Sequence, residues 1–468
     1  MDNYGLLSLA PAFVALVLAF VTRNALVSIL IGVVVGVVIT GQNIFLGLSA
    51  IMQSALGNAD FIWVISIEIS VGIMIALFQK SGAITAFGAM IEKKNIKARG
   101  AQIVSWLLGI FIFFSDYFSP LYVGTVMRNI TDKAKVSREK LAYICDSTSA
   151  PVCTMIPFSS WGVYMAGLLI GIGTFVDNDH AFDAVIRMVP FNFYGIFSIL
   201  MVALIAFGVI PEFGPMKKAE IRARDEGKPY SDTARPLLSG ELDKIKPKEG
   251  VKTSLALNFF MPAVIVISVT VGTYAIMGSA KTLEAFFVAS AYMFIVMLFQ
   301  KMGTLNELAD VAVEGIKSVM QAGLILAMAY CINAISKQLG TANYVISVTE
   351  SWMTPAVLIC VSFLLCAFIS FFTGTSYGTY AIMTPICVPL AFSVSGGVPG
   401  AIVYATIGAI MGGGCFGDHC SPLSDTTILS SLAAGSDHVD HVKTQLPYAL
   451  TAAAVSCIGF LIVGMTCS

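Results

Sequence analysis

Apolar runs of about 20 residues, the length that crosses a bilayer as an α-helix, recur along this chain from near residue 7 to near residue 466 and leave few folds open. Of 468 residues, 57% are hydrophobic and 12% charged, which lies outside the range of ordinary soluble domains. The short alternating segments of a membrane barrel are absent. The expected fold is therefore an all-α polytopic membrane protein. The net charge of -1 says nothing about nucleic acid, because the basic residues are few and lie in loops, and no nucleic-acid partner is expected. The first apolar run, residues 6–21, lacks a basic leader and a small-residue cleavage site, so it reads as a span and not a removable signal. Cysteines such as Cys145, Cys331, Cys366 and Cys457 sit inside predicted spans without ligand spacing and read as small packing residues.

Several features occur twice. Pro11 in Leu9-Ala10-Pro11-Ala12 is echoed by Pro262 in Phe260-Met261-Pro262-Ala263, and Phe113-Phe114 by Phe371-Phe372. This predicts two related halves, 1–211 and 253–468, joined by 212–252, the one long polar stretch. Its density of Lys and Arg makes it cytoplasmic, and it reads as a solvated linker. Lys93, Lys94, Lys97 and Arg99 precede residues 100–131, and Arg128, Lys133, Lys135, Arg138 and Lys140 close them, so this segment enters and leaves on the cytoplasmic face as a re-entrant hairpin. Its counterpart, about 355–394, has no Lys or Arg nearby and is expected to enter from outside. Spans near 7–22, 24–40, 61–79, 140–172 and 190–210, then 254–277, 283–300, 318–335, 400–433 and 446–466, complete a plan of about ten transmembrane helices plus two hairpins. Both termini fall outside. The halves are then inverted in topology, a construction of secondary transporters whose site lies near the midplane.

Backbone that leaves helical geometry inside a membrane survives only where protein, water or an ion completes it. The hairpin tips, Ser115-Asp116-Tyr117-Phe118-Ser119-Pro120 and Thr373-Gly374-Thr375-Ser376-Tyr377-Gly378-Thr379, carry the Gly, Pro and hydroxyl residues that such breaks need. The following span is interrupted in each half, at Ser149-Ala150-Pro151 and at Ser421-Pro422, because proline lacks an amide donor and clashes with the preceding turn. A desolvated alkali cation prefers several oxygen ligands. Two sodium sites are expected, one from Ser115, Asp116, Ser119, Asp146, Ser147 and Ser149, the other from Thr373, Thr375, Ser376, Asp418, Ser421 and Asp425. The ion itself is placed at Ser115, Asp146 and Ser149 and at Thr373, Asp418 and Ser421. A carboxylate at the membrane centre costs about 2.5–3.5 kcal/mol on insertion scales, so it is expected to be protonated or ion-bound. Glu68, Asp146, Asp418 and His419 are the candidates for proton coupling, with His419 also expected to orient Asp418. His438 and His441, with Asp437 and Asp440, read as a polar loop at the cytoplasmic mouth, with sensing of pH near neutrality as the alternative.

The string Gly417-Asp418-His419-Cys420-Ser421-Pro422-Leu423-Ser424-Asp425-Thr426-Thr427 resembles the signature of the NhaC-like Na+/H+ antiporter family, and Asp146-Ser147-Thr148-Ser149-Ala150-Pro151 resembles its first-half counterpart. The resemblance implies a place in the ion transporter superfamily, where opposed hairpins hold ion and substrate, a transport domain moves like an elevator, and the scaffold forms a homodimer. The expected function is sodium-coupled secondary active transport. Its simplest form is Na+/H+ antiport across the inner membrane, with Na+ as coupling ion, no cofactor and no enzymatic chemistry. The family also includes carriers of amino acids and of malate/lactate-type carboxylates, so a small organic solute is the alternative cargo. No Arg or Lys stands out within the spans to neutralise a dicarboxylate.

Overall fold

The computed structural model describes residues 4–467 apart from 23, 58, 93–95, 114, 115, 117, 235–246, 248–252, 278–280, 350–352 and 423. Among these residues the chain is helical, with only an isolated bridge between Ile172 and Phe175. The helices are α1 (Ala10–Thr22), α2 (Ala25–Ile39), α3 (Ile44–Leu56), α4 (Ala59–Ser81), α5 (Ala83–Glu92), α6 (Ala98–Phe111), α7 (Phe118–Lys133), α8 (Arg138–Ser147), α9 (Ala150–Met155), α10 (Ser160–Leu169) and α11 (Asn178–Met188). Beyond them come α12 (Phe193–Ala206), α13 (Gly214–Ile221), α14 (Met261–Met277), α15 (Thr282–Phe299), α16 (Leu305–Leu339), α17 (Thr341–Thr349), α18 (Pro355–Thr373), α19 (Ser376–Val394), α20 (Ala401–Cys420), α21 (Asp425–Ala434) and α22 (His438–Thr466).

Local chemistry sets these boundaries. The Asn24, Asn43, Ser137, Ser159, Asn192 and Thr354 side chains each accept an amide hydrogen from the first turn of the helix that follows. Thr304 and Glu307 close a capping box at the start of α16. At 35 residues, α16 is about 52 Å long, more than the hydrocarbon thickness, so the span expected at 318–335 is only part of it. Gly374, at φ +68°, ends α18 in the left-handed conformation, and Thr375 is extended before α19 begins at Ser376. The second hairpin therefore turns within two residues.

The helices pack as two layers. In one, α4 lies along α16 and α15, while α2 packs on α1 and α16. In the other, α18 runs along α20, α22 covers α18, α20 and α12, and α21 sits against α7 and α8. Between the layers α19 faces α16 and α17, and α10 faces α4. By length and apolarity, six described helices qualify as spans, and nine do when each bent pair counts as one. One of the nine is α19, an arm of the expected second hairpin, so eight of the ten expected spans are among them; the 13-residue α1 and the stretch 318–335 within α16 are not. The pair α2 and α3 bends by 116° at residues 40–43, and the sequence reading had no place for α3.

Glycine allows α20 to lie close to α18. A Cβ at Gly413 would meet the Phe363 carbonyl oxygen at 2.3 Å, and one at Gly417 would meet the Ala367 oxygen at 2.2 Å. Both are backbone atoms, so neither side can yield by rotating a side chain. Gly417→Ala is expected to force the helices apart, at a cost of about 1–3 kcal/mol or more. It should lower the thermal midpoint in detergent, and an unchanged midpoint would show that the close contact is not what holds α20.

The first part of the linker is not a solvated strand. Lys140, at 1% exposure, places Nζ 2.7 Å from Glu212, and Arg222 makes two bonds of 2.8 and 2.9 Å to the Glu139 carboxylate. The Ser137 amide and hydroxyl both donate to Glu220, at 2.9 and 2.6 Å. Ser231 donates to Asp440 at 2.9 Å. The first turn of α8 buries both an acid and a base, and buried charges need partners. The linker supplies them and folds onto the core for that reason.

Candidate functional site

Two helix breaks bring the expected carboxylates inside the protein. Helix α8 ends at Ser147 with Thr148 as its C-cap, Ser149 (ψ -89°) is the N-cap of α9, and Pro151 occupies the first turn where its missing amide costs nothing. Asp146, Ser147 and Ser149 are all fully buried. In the other half, α20 stops at Cys420 and α21 starts at Asp425, with Asp418 on the last turn of α20 at 3% exposure.

Asp418 is held by hydroxyls. Ser376, the first residue of α19 behind the hairpin tip, donates to Oδ2 at 2.7 Å, and Ser424 donates to Oδ1 at 2.6 Å. Thr426 Oγ1 lies 2.9 Å from the Ser424 hydroxyl. The charge thus sits among oxygens, a donor set suited to a hard cation. Ser421 instead donates to the Phe371 carbonyl at 2.6 Å, and Ser149 to the Asp146 carbonyl at 2.8 Å. Each hydroxyl keeps lone pairs for further contacts. Cys153, after the first break, donates to the Phe113 carbonyl at 3.0 Å. In both halves, then, a residue at or just after the break caps a carbonyl of the Phe-Phe pair.

Asp146 meets a different set of groups. Gln445 Nε2 donates to its Oδ2 at 2.8 Å and also reaches the His419 carbonyl. Gln445 Oε1 lies 2.8 Å from His441 Nε2, and that nitrogen is 3.7 Å from Asp146 Oδ2. The amide orientation follows from its neighbours. Turned over, it would set an oxygen against a carboxylate and a carbonyl. Asp146 Oδ1, Ser147 Oγ and Ser430 Oγ are buried without a hydrogen-bond partner among the described residues. Such orphaned oxygens are costly unless something else completes them.

From His441 a chain of polar atoms continues outward. His441 Nδ1 is 2.9 Å from Ser431 Oγ, which is 3.1 Å from His438 Nδ1. His441 and Ser431 are fully buried, whereas His438 is half-buried. The His419 ring bonds to Tyr194 and approaches Gln445 instead of turning to Asp418.

Of the remaining expected residues, Asp116 is 1% exposed, and Ser119 is fully buried with no partner for its hydroxyl among the described residues. Thr375 lies at the second tip as the residue before α19. Ser115 and the side chains of Glu68, Thr373 and Asp425 lie outside the described set. The sequence reading missed Gln445, Tyr194, Ser424 and Ser431, and it placed His441 in a loop.

Comparison with known proteins gives a consistent picture. The model of the Na+/H+ antiporter family matches residues 152–465. An uncharacterized protein of Haemophilus influenzae is 32% identical over 98% of this chain and 91% of its own. The malate-2H+/Na+-lactate antiporter of Bacillus subtilis is 30% identical over 34% of this chain and 33% of its own. The Na+/H+ antiporter NhaC of Alkalihalophilus pseudofirmus is 29% identical over the same shares. Among solved structures, the YdaH transporter of Alcanivorax borkumensis superposes with a TM-score of 0.55 over 89% of this chain and 88% of its own, at 12% identity, a likeness of fold alone.

Proposed function

The chain belongs to the Na+/H+ antiporter family, and from that premise we propose that this multi-pass membrane protein exchanges Na+ for H+ across the inner membrane. Sodium-coupled transport is the coarse function that its relatives support. The observation that carries the finer reading is the pair of buried carboxylates, Asp146 and Asp418, each beside a helix break and each facing hydroxyl or amide groups. A carboxylate in such surroundings is stable when protonated or when it ligates a cation. Proton and sodium therefore compete for one group, and an exchanger that moves only in the loaded or protonated state couples the two gradients.

In this reading Ser376 and Ser424 orient Asp418, while Thr373, Thr375, Ser421 and Asp425 complete its sodium site. Ser115, Asp116, Ser119, Ser147 and Ser149 complete the one at Asp146. His441, Ser431 and His438 carry protons between Asp146 and the cytoplasmic surface. The two halves act as inverted repeats, with both termini outside and the linker cytoplasmic. A second reading, sodium-coupled movement of a small organic solute, draws support from the likeness to the malate-2H+/Na+-lactate antiporter over a third of each chain.

The test is a sodium pulse applied to proteoliposomes holding the full chain and a pH dye. Proton movement without any organic solute supports antiport. Its absence, with movement restored only by an organic acid or amino acid, supports the second reading.

A further inference from the structure

On the outward side of the proposed topology, the end of α16 and the start of α17 face α19 and the turn after α10 across a cavity of about 240 Å³. Its walls come from the two layers, so it lies in the seam between them. The lining is largely polar, with Asn333, Ser336, Lys337, Thr341 and Asn343 contributing to it. Lys337 is exposed, and no carboxylate pairs with it among the described residues. Its Nζ lies against the opposite layer, where a Cβ on Gly171 would come within 2.7 Å of it. The turn at Gly171 (φ +77°) favours glycine on both counts.

A second hollow, of about 10 Å³, shares Ser336, Thr341 and Pro385 with this cavity and reaches Ala381 on α19. That volume holds about one water molecule. From Pro389 in the outer cavity to Ala381 in the inner hollow, α19 rises about 12 Å, and about 7 Å more leads to Ser376, which holds Asp418. The outer cavity thus forms a vestibule on the outward side of the Asp418 site, about 19 Å from Ser376 along α19.

We propose that this vestibule binds the carboxylate of a small organic acid, with Lys337 as its counter-ion. An ammonium with no carboxylate partner among the described residues repels an entering sodium ion and attracts a carboxylate. The surrounding amides and hydroxyls suit the polar remainder of such a molecule, and the volume exceeds what a bare ion needs. Sequence reasoning found no basic residue within the spans, because Lys337 follows the expected span 318–335 and is brought to the seam by the extra length of α16.

The inference rests on the reading of the chain as a sodium-coupled transporter, and its test separates the two. Full-length protein in proteoliposomes is assayed for sodium-driven proton flux alone and with external L-lactate or L-malate as probes. Wild type is expected to respond to at least one acid. Lys337→Gln should raise the half-effective acid concentration about tenfold or more, the effect of losing one charge-assisted contact. Without acid, sodium-driven flux should persist, with the sodium concentration for half-maximal flux unchanged or lower because the repelling charge is gone, and Lys337→Arg should retain the response. An acid response equal in Lys337→Gln and wild type, or sodium-driven flux indifferent to both acids, overturns the vestibule assignment and leaves the transporter reading intact. No flux with or without acid overturns both.

Discussion

Asp418→Asn is expected to abolish sodium-dependent flux while the protein stays folded in the membrane. The two hydroxyls that hold the carboxylate, Ser376 and Ser424, can each rotate to meet an amide, so hydrogen bonding is largely conserved. What disappears is the negative charge. Removing one member of a buried ionic contact costs about 3–5 kcal/mol, so sodium affinity should fall by at least about a hundredfold. The measurements are sodium-pulse proton flux and the thermal midpoint in detergent. Flux lost with the midpoint retained supports the ion-site role, whereas flux retained with its sodium dependence unaltered removes Asp418 from the mechanism. Asp146→Asn is the matching experiment in the other half.

Asp146 and Asp418 were legible because an acid inside an apolar run has few structural uses, and Pro151 and Pro422 marked the breaks beside them. Gly374 likewise announced the tight hairpin tip. The partners of Asp146 were not legible, and the cause is one helix boundary. The last span was expected to begin near residue 446, with His438 and His441 in the loop before it. In fact α22 starts at His438, its first amides capped by the Asp437 carboxylate. Once those residues are helical, His441, Gln445 and Tyr448 fall at i, i+4 and i+7 on one buried face. Read with that cap, the same letters give a polar stripe instead of a loop. The linker was misjudged for a related reason. Its charges look solvated in the sequence because Lys140 reads as a basic flank of the hairpin, whereas it and Glu139 are buried and pair with the linker.

The same stripe yields the second large expected effect. Gln445 bonds to Asp146, to the backbone of His419 and to the His441 ring together. Gln445→Leu leaves three polar groups facing hydrocarbon, each worth about 1–3 kcal/mol when unsatisfied. Both maximal flux and sodium affinity should therefore fall at least about tenfold. His438→Ala acts differently. His438 bonds through Ser431, a step away from the residues that touch Asp146, and it is half-buried at the outer end of the chain. If protons reach Asp146 along His438, Ser431 and His441, this variant should lower maximal flux while the sodium concentration for half-maximal flux stays the same. A structural role for the stripe would move both quantities together or neither. Unchanged maximal flux in His438→Ala would mean that protons arrive by another route, and the buried histidine at 3.7 Å from the carboxylate would then serve only to hold Gln445 in place.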